Sequence, residues 1–109
     1  MALGDMMGLM KQAAAMKQKM QDVQEELERL EVTGESGGGL VRVTLTAKFA
    51  MRSLSIDPSL IKPDDREMLE DLILTAHEDA RRKAERLAEE KIKDVTAGLP
   101  LPPGFKLPF

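Results

Sequence analysis

The chain has 109 residues, 42% of them apolar and 32% charged, which suits one domain with a modest core and a charge-rich surface. Three Phe are its only aromatics, which argues against base-stacking platforms, and the lack of Cys excludes disulfides and thiolate metal sites and suits a reducing cytoplasm. No apolar run is long enough for a membrane span, Met1-Ala2-Leu3-Gly4-Asp5 lacks the basic start of a signal peptide, and the formal net charge of −3 means that any nucleic-acid role must rest on local segregation of charge.

The first element is expected to be a helix from about Asp5 to Glu31. Met6, Leu9, Ala13, Met16, Met20, Val23, Leu27 and Leu30 alternate in spacings of three and four, the narrow seam of a helix that needs a partner. Gly8 weakens its first turns. Residues 32–57 switch to a period of two. Val41, Val43 and Leu45 alternate with Arg42, Thr44 and Thr46, and Leu54 and Ile56 alternate with Ser53 and Ser55, as half-buried strands do. Val32–Ser36 suits a third, short strand before the Gly37-Gly38-Gly39 turn, Ala47–Ala50 holds the second turn, and Asp57-Pro58 closes the sheet.

A second long helix is expected over 64–97. Pro63, Asp64 and Asp65 suit its start, and Gly98 and Pro100 its stop. Its apolar stripe runs through Leu69, Leu72, Ile73, Ala76, Ala80, Ala84, Leu87 and Val95, and the alanines in the middle let another element approach closely. Residues 98–109, with Leu99, Leu101, Phe105, Leu107 and Phe109 set among prolines, are too apolar for a free linker and are expected to pack against the body or a partner subunit. Helix, small antiparallel sheet, helix makes an α+β domain, and both helices are too long for three strands to cover, which favours symmetric pairing of two chains.

The chemical motifs are weak. Gly34-Glu35-Ser36-Gly37-Gly38 matches the nucleophile-elbow pattern, yet it leads from a helix into a hairpin and its glycines read better as turn punctuation. Gly39 is followed by Leu40-Val41, which rules out a P-loop. His77 is the only histidine and has no companions at ligand spacing. No catalytic residues, metal or cofactor are expected.

Charge is more informative. Met6–Met20 contains Lys11, Lys17 and Lys19 and no acid, at the helix end where the macrodipole favours acids. Gln21–Glu31 is acidic, with Asp22, Glu25, Glu26, Glu28 and Glu31 against Arg29. On the second helix an acidic stretch, 64–79, precedes Arg81, Arg82, Lys83 and Arg86. Glu78–Arg82 and Asp79–Lys83 are i,i+4 pairs, so this second cluster also reads as a solvated face, although a paired Arg keeps unused donors.

Leu9-Met10-Lys11-Gln12-Ala13, Leu30-Glu31-Val32-Thr33-Gly34-Glu35-Ser36, Gly39-Leu40-Val41, Ile56-Asp57-Pro58-Ser59-Leu60, Glu67-Met68-Leu69-Glu70-Asp71-Leu72 and Leu99-Pro100-Leu101-Pro102-Pro103-Gly104-Phe105 together resemble the YbaB/EbfC family of bacterial nucleoid-associated proteins. The resemblance implies an α-β-β-β-α fold over 1–109 and a tweezer-like homodimer with helical arms. It also implies cytoplasmic, nucleoid-located binding of double-stranded DNA that alters its conformation, with roles in nucleoid organisation, gene regulation or DNA protection. The turn at Thr46-Ala47-Lys48 departs from relatives, which often carry a Gly there. The expected DNA-binding residues are Lys11, Lys17, Lys19, Arg81, Arg82, Lys83 and Arg86. Met16, Met20, Val23, Leu27, Val41, Val43, Leu45, Leu54 and Ile56 are expected in core or dimer packing. Phosphate contacts carry no base code, so little sequence preference is expected. The alternative is a non-catalytic adaptor whose arms and Pro-rich tail grip a DNA-maintenance protein.

Overall fold

The computed structural model describes residues 2–97. The order is α1 (Ala2–Arg29), β1 (Glu31–Ser36), β2 (Val41–Thr46), β3 (Met51–Ile56) and α2 (Arg66–Thr96). The three strands form one antiparallel sheet in the order β1-β2-β3, giving the expected α-β-β-β-α, α+β architecture. Element boundaries move by a few residues. Helix α1 begins at Ala2 and yields Glu31 to β1, β3 starts at Met51, and Pro63–Asp65 form a single 3-10 turn that feeds α2. Residues 98–109, expected to pack on the body or a partner, lie outside the described residues.

Local chemistry explains the turns. Gly37, Gly38 and Gly39 all have positive φ (61°, 69° and 93°), a run that residues with a Cβ strongly resist. The β2–β3 turn has no glycine, and Phe49 takes the left-handed backbone itself, at φ 71°. Buried Thr46 compensates, because its Oγ1 accepts from the N–H groups of Lys48 (3.2 Å) and Ala50 (3.1 Å). A bulge follows, since Thr44 pairs with Ser53 while Leu45 pairs with Met51, leaving Arg52 as the extra residue. Asp57 accepts from the Ser59 N–H at 2.9 Å and ends the sheet.

The core lies between the sheet and α2. Val41, Val43 and Leu45 are fully buried and meet Ala76, Ala80 and Leu60, with Val32, Ile56, Leu69, Leu72 and Ile73 packed around them. At the centre of this contact is Gly34 on β1. A Cβ built there would overlap the Ala76 carbonyl oxygen and the Ala80 backbone nitrogen and would come within 2.7 Å of the Ala80 Cα. The expectation that the alanine stripe permits close approach is met by a glycine on the facing strand. Cross-links fix the direction. Ser36 Oγ donates to the Leu72 carbonyl, the Glu35 N–H donates to Asp79, Lys83 Nζ donates to the Thr33 carbonyl, and Lys91 pairs with Glu26 at 2.9 Å. Helix α2 therefore runs antiparallel to the whole path from the end of α1 through β1, as one continuous spine.

That spine reaches β1 and β2 but leaves β3 uncovered. Leu54, expected in core or dimer packing, is outside the protomer core and 44% exposed, and Met51 and Phe49 are each 49% exposed. Ile56 alone on β3 is half-buried, against the core. A second cluster, Val23, Leu27 and Ala47 with Leu30, Leu87, Ala88, Ile92 and Val95, joins α1 to the last turns of α2. Beyond it the α1 seam emerges. Met20 and Met16 are half-buried, while Leu9 (65%) and Met6 (58%) are exposed.

Gly34→Ala is expected to destabilise the protein by about 3 kcal/mol or more, because backbone on α2 has nowhere to yield. Gly8→Ala, with nothing near its Cβ, should stabilise by about 0.5–1 kcal/mol. Urea titration of the two variants measures both.

Candidate nucleic-acid interface

The seven cations expected to face phosphate fall into two groups with different surroundings. Lys11, Lys17 and Lys19 sit on α1 ahead of the Val23–Leu27 contact with α2, all exposed. Among the described residues none of them makes an ion pair. At about 100° per residue, Lys11 and Lys19 lie within about 80° of each other around the helix, whereas Lys17 is at least about 120° away from both. Lys17 instead lines a groove of about 1050 Å³ between α1, α2 and the β2–β3 turn, together with Met20, Leu27, Lys48, Phe49 and Glu85.

The α2 cluster is mostly engaged. Arg81 grips Glu78 with two donors, at 3.0 and 2.6 Å, and reaches Glu85 at 3.2 Å. This bidentate contact holds the Glu78 carboxyl at about 2, well below its ordinary 4.5, and raises Arg81 further above its usual range. Arg82 lies 3.6 Å from the same carboxylate. Lys83 bridges Asp79 at 3.2 Å and the Thr33 carbonyl at 2.8 Å, tying α2 to β1. The Glu35 N–H and, secondarily, Lys83 lower the Asp79 carboxyl. Arg86 is exposed and, among the described residues, has no ion-pair partner. Antiparallel register places Lys83 beside Thr33 and Lys91 beside Glu26. At 1.5 Å per residue, the two clusters in one chain are thus about 20 Å apart along the spine.

Other candidates resolve into structure. Ser36, the would-be nucleophile, is buried with its hydroxyl donated to Leu72, and Gly34 of the same motif is the packing contact against α2. His77 is half-buried on α2, and among the described residues no cluster of His, Cys, Asp or Glu could hold a metal. Four more exposed cations make no ion pair among the described residues and stand outside the seven: Arg29 at the end of α1, Arg52 at the bulge, Lys62 and Lys93. A bulge residue breaks strand alternation, so periodicity alone does not single out Arg52.

The chain matches the YbaB/EbfC DNA-binding family over residues 1–99. It belongs to that family. A nucleoid-associated protein of Methylocella silvestris is 69% identical over 105 residues, which cover 96% of this chain and 98% of that protein. One from Agrobacterium fabrum is 57% identical with the same coverage. The crystal structure of uncharacterized protein HP0035 from Helicobacter pylori shares the fold with a TM-score of 0.69, at 24% identity over 79% of this chain and 90% of that one. Among the described residues no helix is long and apolar enough to cross a membrane.

In this YbaB/EbfC chain the α2 carboxylates tie cations to the protein itself. Glu78 and Asp79 titrate lower when folded than when unfolded, so their stabilising effect is present above the ordinary carboxylate range and is lost on acidification. Stability should fall as pH drops from about 4.5 towards 2, and Glu78→Gln should flatten that fall. Thermal unfolding followed from pH 6 to 2 checks this.

Proposed function

We propose that this protein binds double-stranded DNA in the bacterial nucleoid as a non-catalytic homodimer, using the projecting part of α1 as its principal phosphate-facing arm. The observation that carries this reading is that Lys11, Lys17 and Lys19 stand exposed, without ion pairs among the described residues, on a segment that has no acid from Met6 to Met20. Of the four expected α2 cations, Arg86 is the most available to join them. Arg81 and Arg82 contribute through donors left over from Glu78, and Lys83 contributes least because it is committed to β1. Membership of a DNA-binding family and close likeness to nucleoid-associated proteins support DNA as the partner.

Dimerisation is supported by the uncovered edge strand. An exposed edge that carries Phe49, Met51 and Leu54 seeks a strand or an apolar face to pair with. Two copies double the lysines. With about four to eight phosphate contacts, log K should fall against log salt with a slope of about −4 to −7. Sequence preference should be slight, and any preference should follow DNA shape or bending.

A gel-shift series across ionic strength tests the proposal: the steep slope is expected, and a flat response contradicts it. Changing Lys11, Lys17 and Lys19 together to Glu should weaken binding by more than about 100-fold while leaving the oligomeric state unchanged. The adaptor reading draws on the mixed-charge groove around Lys17 and Glu85. Nuclease-resistant capture of a protein partner without direct DNA affinity would favour it.

A further inference from the structure

The apolar seam of α1 outlasts its cover. Helix α2 buries Val23 and Leu27, and the same stripe continues through Met20, Met16, Ala13, Leu9 and Met6 with progressively less over it. Pairing of Glu26 with Lys91 in antiparallel helices places the last residue of α2, Thr96, beside about residue 21 of α1. Ala97 then leaves the helix at φ −59° and ψ 131°, close to polyproline II geometry. The twelve residues that follow in the sequence hold Leu99, Leu101, Phe105, Leu107 and Phe109, with prolines at 100, 102, 103 and 108.

We propose that residues 98–109 dock along the seam of α1 in their own chain, from Met20 towards Met6, completing the arm that α2 leaves half-built. Length, charge and order all favour this occupant. Met20 to Met6 spans about 21 Å of helix, and twelve residues in polyproline II reach about 37 Å. The main rival occupant is α1 of a second copy, which would set Lys11, Lys17 and Lys19 of one chain against the same cations of the other, whereas residues 98–109 bring only Lys106. A proline-fixed strand tethered at the mouth of the seam also has little freedom left to lose and a high local concentration. Docked there, it stiffens the stretch of helix that carries the three lysines. This inference concerns the arm's own packing and stands independently of what the arm binds.

Two measurements on the full chain test it. In the first, Leu99, Leu101 and Phe105 are changed to Ser and amide hydrogen exchange is followed. Exchange over residues 6–20 should speed up by at least about tenfold, with β1, β2 and the middle of α2 unaffected; unchanged exchange over 6–20 would overturn the proposal. In the second, Ala13→Cys and Leu101→Cys are combined in this cysteine-free chain and mildly oxidised. A disulfide within one chain, read by mass spectrometry, is the expected result. A disulfide between chains would assign the seam to a second copy, and no disulfide would leave the seam unoccupied by this segment; both contradict the proposal.

Discussion

Because Gly34 has no side chain, β1 can lie directly on the Ala76–Ala80 ridge of α2, and the rest of the molecule is arranged around that contact. Close approach brings Val41, Val43 and Leu45 against the helix from the neighbouring strand, where Ala76 and Ala80 form the buried centre and Leu69, Leu72 and Ile73 pack at its side. It also fixes the register of everything upstream. With Gly34 at Ala76 and Ala80, Thr33 meets Lys83 and Glu26 meets Lys91, so the sheet and the end of α1 share one spine. The nearby polar contacts are exposed or half-exposed, and each adds little alone. Their value lies in holding an alignment that backbone contact has already imposed.

The same alignment decides which cations are available to a partner. Alongside the sheet, α2 sets an acidic stretch directly before its basic cluster, and Arg81, Arg82 and Lys83 are drawn into Glu78, Asp79 and Glu85. Past Thr96 there is no α2 to supply acids, and α1 has none of its own between Met6 and Met20. The lysines there are therefore left to solvent and to whatever anion approaches. An acidic chain with a net charge of −3 can present a basic stretch because Met6–Met20 holds Lys11, Lys17 and Lys19 with no acid, while the acids concentrate in Gln21–Glu31 and along α2.

Much of this was legible in the sequence. The period of α1, the alternation in β2 and the alanine stripe of α2 report directly on the apolar face of each element; the structure buries those of β2 and α2, and that of α1 only at Val23 and Leu27. What the sequence left open has a common physical origin. Alternation says that Leu54 and Ile56 share a face of β3, but not how far α2 extends across the sheet, so it leaves open that Ile56 meets the core while Leu54 stays exposed in the protomer. Charge counting and i,i+4 spacing already read Arg81–Arg86 partly as a solvated face, but they do not show that Lys83 bonds a carbonyl fifty residues away. The catalytic reading of Gly34–Gly38 already fails in the sequence, but only the position of α2 shows that Gly34 is a contact surface and Ser36 a buried hydrogen-bond donor.

The central claim is that DNA meets the lysines beyond the end of α2 rather than the cations paired along it. Amine acetylation of the protein with and without duplex DNA, read lysine by lysine by mass spectrometry, tests it most directly. Protection of Lys11, Lys17 and Lys19 with little change at Lys83 is the predicted result. Unchanged labelling of those three, or protection concentrated on Lys83, would contradict it.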